Sequence, residues 1–192
     1  MSVTVRELGL DGVLEICPEQ YKDSRGFFCE TWSQRSHPAL DNLKPFVQDN
    51  HSLSREKGVL RGLHYQLPPH AQDKLVRVVR GAILDVAVDI RRGSSTFGRW
   101  VALELSGEKW NQILVPKGFA HGFVTLVPDT EVIYKVTDYY TAECDRAIRF
   151  DDPDLAITWP LPVEQISLSD KDRAAPILRD AETFTFQCEL AA

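Results

Sequence analysis

The stretch Leu75-Val76-Arg77-Val78-Val79-Arg80-Gly81-Ala82-Ile83-Leu84-Asp85-Val86-Ala87-Val88-Asp89-Ile90 decides the fold class. Val and Ile dominate both halves, Arg and Asp enter in partial alternation, and Gly81 divides the run. It reads as two strands, Leu75–Arg80 and Ala82–Ile90. The pattern continues through Trp100–Leu105, Gln112–Val115, Phe119–Leu126, Glu131–Thr137 and Ala147–Phe150. Turn chemistry separates these runs: Arg92-Gly93-Ser94, Ser106-Gly107, Pro116-Lys117-Gly118 and Pro128-Asp129. Short strands at such close spacing predict a mainly β chain, a sandwich or a barrel. Helical patterns are scarce. Gln34–Leu43 suggests one short helix that Pro38 interrupts. From Pro160 the chain is Pro-rich and irregular, with a strand expected at Thr183–Cys188 and roughly the last 15 residues peripheral.

The chain has 192 residues, 22 Lys and Arg against 28 Asp and Glu, and a formal net charge of −6. That length, with no linker, charge block or repeat, predicts a single domain over residues 1–192. The acidic balance argues against a nucleic-acid polymer or an anionic membrane as partner, since both call for a basic face. No apolar run approaches the ~18 residues of a membrane-spanning helix. The start, Met1-Ser2-Val3-Thr4-Val5-Arg6-Glu7, lacks a basic-then-apolar signal pattern, so a cytoplasmic location is expected. Cys17, Cys29, Cys144 and Cys188 are scattered, with no C-x-x-C pair, and are expected to be reduced.

Chemistry concentrates in three places. The first is Gln48-Asp49-Asn50-His51-Ser52-Leu53-Ser54 together with Gly58-Val59-Leu60-Arg61-Gly62-Leu63-His64-Tyr65-Gln66. The second is Gln72-Asp73-Lys74, where a lysine enters a strand. The third is Pro116-Lys117-Gly118-Phe119-Ala120-His121-Gly122-Phe123, in which strand alternation puts Phe119, His121 and Phe123 on one face. Any one of these histidines alone is more simply a hydrogen-bonded core residue, and a lysine at a strand end a solvated charge. Their spacing considered jointly points to a site.

Gly58-x5-His64-x-Gln66 followed by Gly81, and Gly107 followed by Pro116-x-Gly118-x2-His121, resemble the two motifs of the cupins. The resemblance implies a double-stranded β-helix, or jelly roll, of two packed antiparallel sheets with few short helices and a site in the mouth. Metal-binding cupins carry a second His where this chain has Gln66, and no Glu lies between Gln66 and Gly81. Two imidazoles without a carboxylate rarely hold a divalent metal, so neither a metal nor another cofactor is expected.

More specifically, the chain resembles the dTDP-4-dehydrorhamnose 3,5-epimerase family from about Val3 to Leu178. The ordered blocks are Asp23-Ser24-Arg25-Gly26-Phe27-Phe28-x-Glu30, Gln48-Asp49-Asn50-x-Ser52, Gly58 to Gln66, Lys74-Leu75-Val76, Asp85 to Arg91 and Pro116 to Phe123. Tyr134-Lys135, Tyr139-Tyr140 and Leu168-Ser169-Asp170-Lys171-Asp172 complete them. The family inverts C3 and C5 of dTDP-4-dehydro-6-deoxy-D-glucose, giving dTDP-4-dehydro-L-rhamnose, through protons made acidic by the C4 ketone. By resemblance His64 is the base, Asp172 bonds its other ring nitrogen, and Tyr134 is the acid on the opposite face. Lys74 and His121 would face the C4 oxygen or the sugar. Arg25, Arg61 and Lys171 would bind the diphosphate, with Gln48 and Asn50 as neutral hydrogen bonders. Tyr140 would stack on thymine and Glu30 would contact it, Glu30 and Arg25 arriving from a second subunit of a homodimer. Asp145, eleven residues after Tyr134, stands where many members carry Glu.

Three other functions are compatible with parts of this pattern. A 3-epimerase, or a 3,5-epimerase of a modified dTDP-4-keto-deoxysugar in an antibiotic pathway, would share the base, the acid and the fold. A non-catalytic nucleotide-sugar-binding cupin need not retain His64, Asp172 and Tyr134 together. A metal-dependent cupin oxygenase is opposed by Gln66.

Overall fold

The computed structural model describes residues 2–185. In chain order the strands are β1 Val3–Glu7, β2 Leu14–Pro18, β3 Tyr21–Asp23, β4 Gly26–Phe28, β5 Gln48–Ser54, β6 Leu60–Gln66, β7 Lys74–Arg80 and β8 Ala82–Asp89. They continue with β9 Arg91–Arg92, β10 Trp100–Ser106, β11 Gln112–Val115, β12 Phe119–Thr125, β13 Thr130–Val136, β14 Asp145–Ala147 and β15 Phe184–Thr185. The α-helix α1 spans only Asp170–Arg173. Two sheets dominate: six strands in the order β1-β2-β11-β7-β13-β5, and five in the order β10-β8-β12-β6-β14. Every pairing within them is antiparallel.

Strand alternation sends one face of each sheet inward. Val76, Val78, Ile113 and Val132 from the six-stranded sheet meet Ile83, Ala87, Leu105, Phe119 and Phe123 from the five-stranded one in a shared core. Gly81 is the corner at which the chain leaves β7 in one sheet for β8 in the other. Its φ of +81° suits glycine, and a Cβ there would lie 2.3 Å from Thr130 Oγ1. The outer face of the five-stranded sheet is covered by a second cluster. In it Leu63, Tyr65, Val86, Val88 and Ala120 pack against Ile148, Leu155, Leu178, Ala181 and Phe184. Leu178, Ala181 and Phe184, expected at the periphery, are therefore buried, because they shield a sheet face that would otherwise be wet.

Other expectations shift for identifiable reasons. The helix expected over Gln34–Leu43 is reduced to a 3-10 turn at Pro38–Leu40, started by Pro38 and capped by His37 Nδ1 accepting from Ala39 N at 3.2 Å. The strand expected at Ala147–Phe150 is instead β14, Asp145–Ala147. Ile148 exchanges two backbone hydrogen bonds with Leu63, and Phe150 turns away into a separate cluster with Leu60 and Val124. At Thr183–Cys188 the strand covers Phe184–Thr185, and 186–188 lie outside the described residues. The polar segments Gln48–Ser54 and Leu60–Gln66 are both full strands. Among the described residues no helix is long and apolar enough to cross a membrane.

The pairing of β6 with β12 positions the site, and it depends on two glycines. Their register shifts between His121 and Phe123, and Gly62 and Gly122 meet at the irregularity. A Cβ on Gly122 would lie 2.8 Å from Arg61 O and 3.1 Å from Gly62 Cα. We expect Gly122→Ala to force the strands apart and to lower stability by about 1–3 kcal/mol. Urea unfolding checks this: a midpoint equal to that of the wild type would show that the strands yield without cost.

Candidate active site

Residues from both sheets converge on a cavity of about 410 Å³. β6 supplies Arg61 and His64, β12 supplies His121 and Phe123, β7 supplies Lys74, β13 supplies Tyr134, and α1 supplies Lys171 and Asp172. A second hollow of about 260 Å³ shares His64, Lys74, Tyr134 and Lys171 as walls and adds Gln48, Asn50, Tyr140 and Asp145. The two form one cleft. His64 and His121 occupy facing register positions on paired strands, as do Tyr134 and Asn50. Alternation explains the β5 contribution: Gln48, Asn50 and Ser52 point one way while Asp49 and His51 point out to Lys135 and Glu131.

At the centre, His64 Nε2 lies 2.5 Å from Asp172 Oδ1. Asp172 is buried, and burial alone would raise its carboxyl; the hydrogen bond and charge of His64, with bonds from Ser169 and Gly62, hold it below the ordinary value instead. An ionised carboxylate only accepts, so Nε2 carries the ring hydrogen and Nδ1 is left with its lone pair. Ser169 caps α1 through its Oγ, which accepts from Asp172 N at 3.1 Å.

His121 forms a second imidazole–carboxylate pair, with Nε2 at 3.0 and 2.9 Å from the two Asp85 oxygens. Asp85 is fully buried; burial pushes its carboxyl up, against the pull of His121 and Lys74. From the sequence alone Asp85 is only the start of the block Asp85 to Arg91, with no role of its own. Lys74 Nζ donates to His64 O at 3.2 Å. Desolvation draws the Lys74 ammonium down to about 8, with Asp145 and Asp85 opposing and Lys171 assisting. Burial pushes the Tyr134 phenol up, Arg61 opposing and Asp145 adding to the rise, so it keeps its proton at neutral pH.

At the outer end, Asp145 Oδ2 accepts from Tyr140 OH at 3.1 Å and pairs with Lys171 Nζ. Gln48 Nε2 donates to Asn50 Oδ1 at 2.9 Å, and Gln48 Oε1 accepts from Tyr140 N at 3.1 Å. Among the described residues Arg61 has no ion-pair partner, and it lines the cavity as an available cation. Arg25 and Glu30 do not reach the cleft of their own chain. Arg25 sits at the tip of the β3–β4 hairpin, 2.5 Å from Asp23 and largely exposed, and Glu30 is exposed just beyond. The donor set does not suit a metal: Gln66 commits its amide to backbone groups, and no cluster of three His, Cys, Asp or Glu exists among the described residues.

The sequence profile described as dTDP-4-dehydrorhamnose 3,5-epimerase matches residues 7–180. The chain belongs to this epimerase family. The dTDP-4-dehydrorhamnose 3,5-epimerase of Sinorhizobium fredii is 48% identical over 173 residues, 90% of this chain and 88% of that one. The Pseudomonas aeruginosa enzyme is 48% identical over 178 residues, 92% and 97% of the two chains. The structure of the Legionella pneumophila dTDP-6-deoxy-D-glucose-3,5-epimerase in complex with dTDP-4-keto-L-rhamnose gives a TM-score of 0.91. It is 47% identical and covers 97% of this chain and all of its own. The two-sheet jelly roll described above is thus the fold of the epimerase family.

The charge balance at Lys74 is measurable. NMR titration of its ε-methylene is expected to give a midpoint near the value of about 8 set by burial. Asp145→Asn removes an anion that favours the ammonium, so the midpoint should fall further. A midpoint that stays put or rises would show that Asp145 is not coupled to Lys74.

Proposed function

We propose that the chain is a dTDP-4-dehydrorhamnose 3,5-epimerase that converts dTDP-4-dehydro-6-deoxy-D-glucose to dTDP-4-dehydro-L-rhamnose. One observation carries the mechanism: His64, on the five-stranded sheet, and Tyr134, on the six-stranded sheet, stand on opposite walls of one cavity. Inversion at carbon requires a proton to leave one face of a planar intermediate and another to arrive at the opposite face. Two sheets with the sugar between them provide that arrangement.

His64 Nδ1 takes the proton from C3, and the C–H electron pair moves into the C3–C4 bond as the C4 carbonyl oxygen becomes an enolate. Asp172 stabilises the imidazolium that forms. The Lys74 ammonium and His121, which line the same cavity, supply positive charge or a donor to the developing oxyanion in this mechanism. Tyr134 gives its phenolic proton to C3 from the other face, and solvent exchange returns both groups to their starting states. The same cycle repeats at C5. Electrons and protons balance without a redox partner.

Binding follows from the cleft's outer part. Arg61 and Lys171 suit the diphosphate, Gln48 and Asn50 supply neutral hydrogen bonds, and the exposed Tyr140 ring offers a face to thymine. Asp145 takes the carboxylate position between Tyr140 and Lys171. Arg25 and Glu30 act on the cleft of a second subunit in a homodimer. The exposed Phe27 and Phe28 on the same hairpin support this, because large apolar side chains at a hairpin tip favour a covered environment. The chain works as one catalytic unit in the cytoplasm, with a dTDP-sugar as its partner and neither membrane nor nucleic acid.

Incubation with dTDP-4-dehydro-6-deoxy-D-glucose in D₂O tests the reading. Deuterium is expected at both C3 and C5, and His64→Ala should slow both exchanges by about 10²–10⁴-fold while dTDP still binds. Incorporation at C3 alone would make the enzyme a 3-epimerase, and exchange undiminished in His64→Ala would move the base elsewhere.

A further inference from the structure

The segment Asp138–Thr141 carries Tyr140 to the edge of the cleft but belongs to no strand. Its backbone groups therefore lack ladder partners, and buried or half-buried amides need them. Side chains, three of them glutamines, supply the bonds. Gln72 Nε2 donates to Asp138 O at 2.8 Å. Gln48 Oε1 accepts from Tyr140 N at 3.1 Å. Gln66 makes the remaining contacts: Oε1 accepts from Thr141 N at 2.6 Å, and Nε2 donates to Tyr139 O at 3.1 Å and to His70 O at 2.7 Å. Asp138 Oδ1 closes the set by accepting from Tyr139 N at 2.8 Å.

Gln66 differs from the other two in burial, being only 4% exposed. One acceptor and two donors, all satisfied, require an amide; an isosteric carboxylate lacks the donors and an imidazole lacks the geometry to serve both sides. It sits on β6 two residues beyond His64, so the strand that bears the base also fixes the loop that bears the aromatic ring.

We propose that Gln66 is a positioning residue for nucleotide recognition: it pins the Asp138–Thr141 loop to β6 and so holds Tyr140 ready to stack on the base of a thymidine diphosphate. The inference rests on the functional reading above. Pre-ordering matters because a mobile ring would have to be immobilised at the moment of binding, at the expense of affinity. Gln66 touches neither the reacting carbons nor the general base, so its loss acts on binding before chemistry.

A double-mutant cycle tests this, with dTDP binding measured by calorimetry and turnover at saturating substrate. Gln66→Leu should weaken dTDP binding by about tenfold, within the range of one base–aromatic stack, and change kcat by less than about threefold. In a Tyr140→Ala background the same substitution should change dTDP affinity by less than about twofold, because the ring it positions is gone. Amide exchange at Tyr140 and Thr141 should quicken in Gln66→Leu while Val86 to Val88 remain protected. If Gln66→Leu does not fold, Gln66→Glu, which keeps the acceptor for Thr141 N, and Gln72→Leu carry the same cycle. Wild-type affinity in Gln66→Leu, or losses that simply add in the double mutant, would overturn the proposal. Wild-type protein that fails to bind dTDP would instead refute the functional reading.

Discussion

The hydrogen bond between His64 and Asp172 joins β6 to α1 across 108 residues of sequence, and the site depends on it. Asp172 is buried, and a buried carboxylate is stable only with partners. His64, the Ser169 hydroxyl and the Gly62 amide supply them, so docking of the short helix and orientation of the imidazole are one event. Four helical residues could not persist alone. What holds α1 in place is this carboxylate, together with the neighbouring pair between Lys171 and Asp145. The contacts that orient His64 therefore also place a cation at the cleft mouth.

Around that bond the two sheets divide the labour. The five-stranded sheet presents His64 and His121, each tied to a buried carboxylate, while the six-stranded sheet presents Lys74 and Tyr134. In the proposed mechanism a planar intermediate between these walls would meet His64 on one side and Tyr134 on the other. The cations Arg61, Lys74 and Lys171 gather here although the whole chain carries a net charge of −6. A dianionic nucleotide needs only this local excess, not a basic surface. Asp145 and Asp85 temper it by keeping Lys74 protonated against its desolvation.

The central strands were readable because Val76, Val78, Val86 and Val88 face apolar cores and show the expected alternation. β5 and the polar parts of β6 do not read as strands from pattern, since their inward faces line a cleft; Gln48, Asn50 and Ser52 alternate correctly but are polar on the buried side. The candidate residues from Gln48 to Asp172 come from the ordered family blocks, and the fold brings Gln48, Asn50, Arg61, His64, Lys74, His121, Tyr134, Tyr140, Asp145, Lys171 and Asp172 into one cleft. Asp85 is not legible in the sequence, because an aspartate in an apolar strand looks like ordinary alternation until its partner on β12 is seen. In the sequence Gln66 stands out only as the residue in place of a metal-binding histidine. Its three bonds to loop backbone depend on tertiary contacts that no spacing reveals.

The opposition of base and acid across the cavity is most directly tested with Tyr134→Phe in D₂O, following both label and configuration at C3. With the base intact and the acid removed, His64 should still withdraw the C3 proton and return deuterium from the same side. Recovered substrate would then be labelled with its configuration retained, while epimerised product falls sharply. Exchange and inversion lost together, or inversion that persists, would contradict a mechanism in which the two sheets act on opposite faces of the sugar.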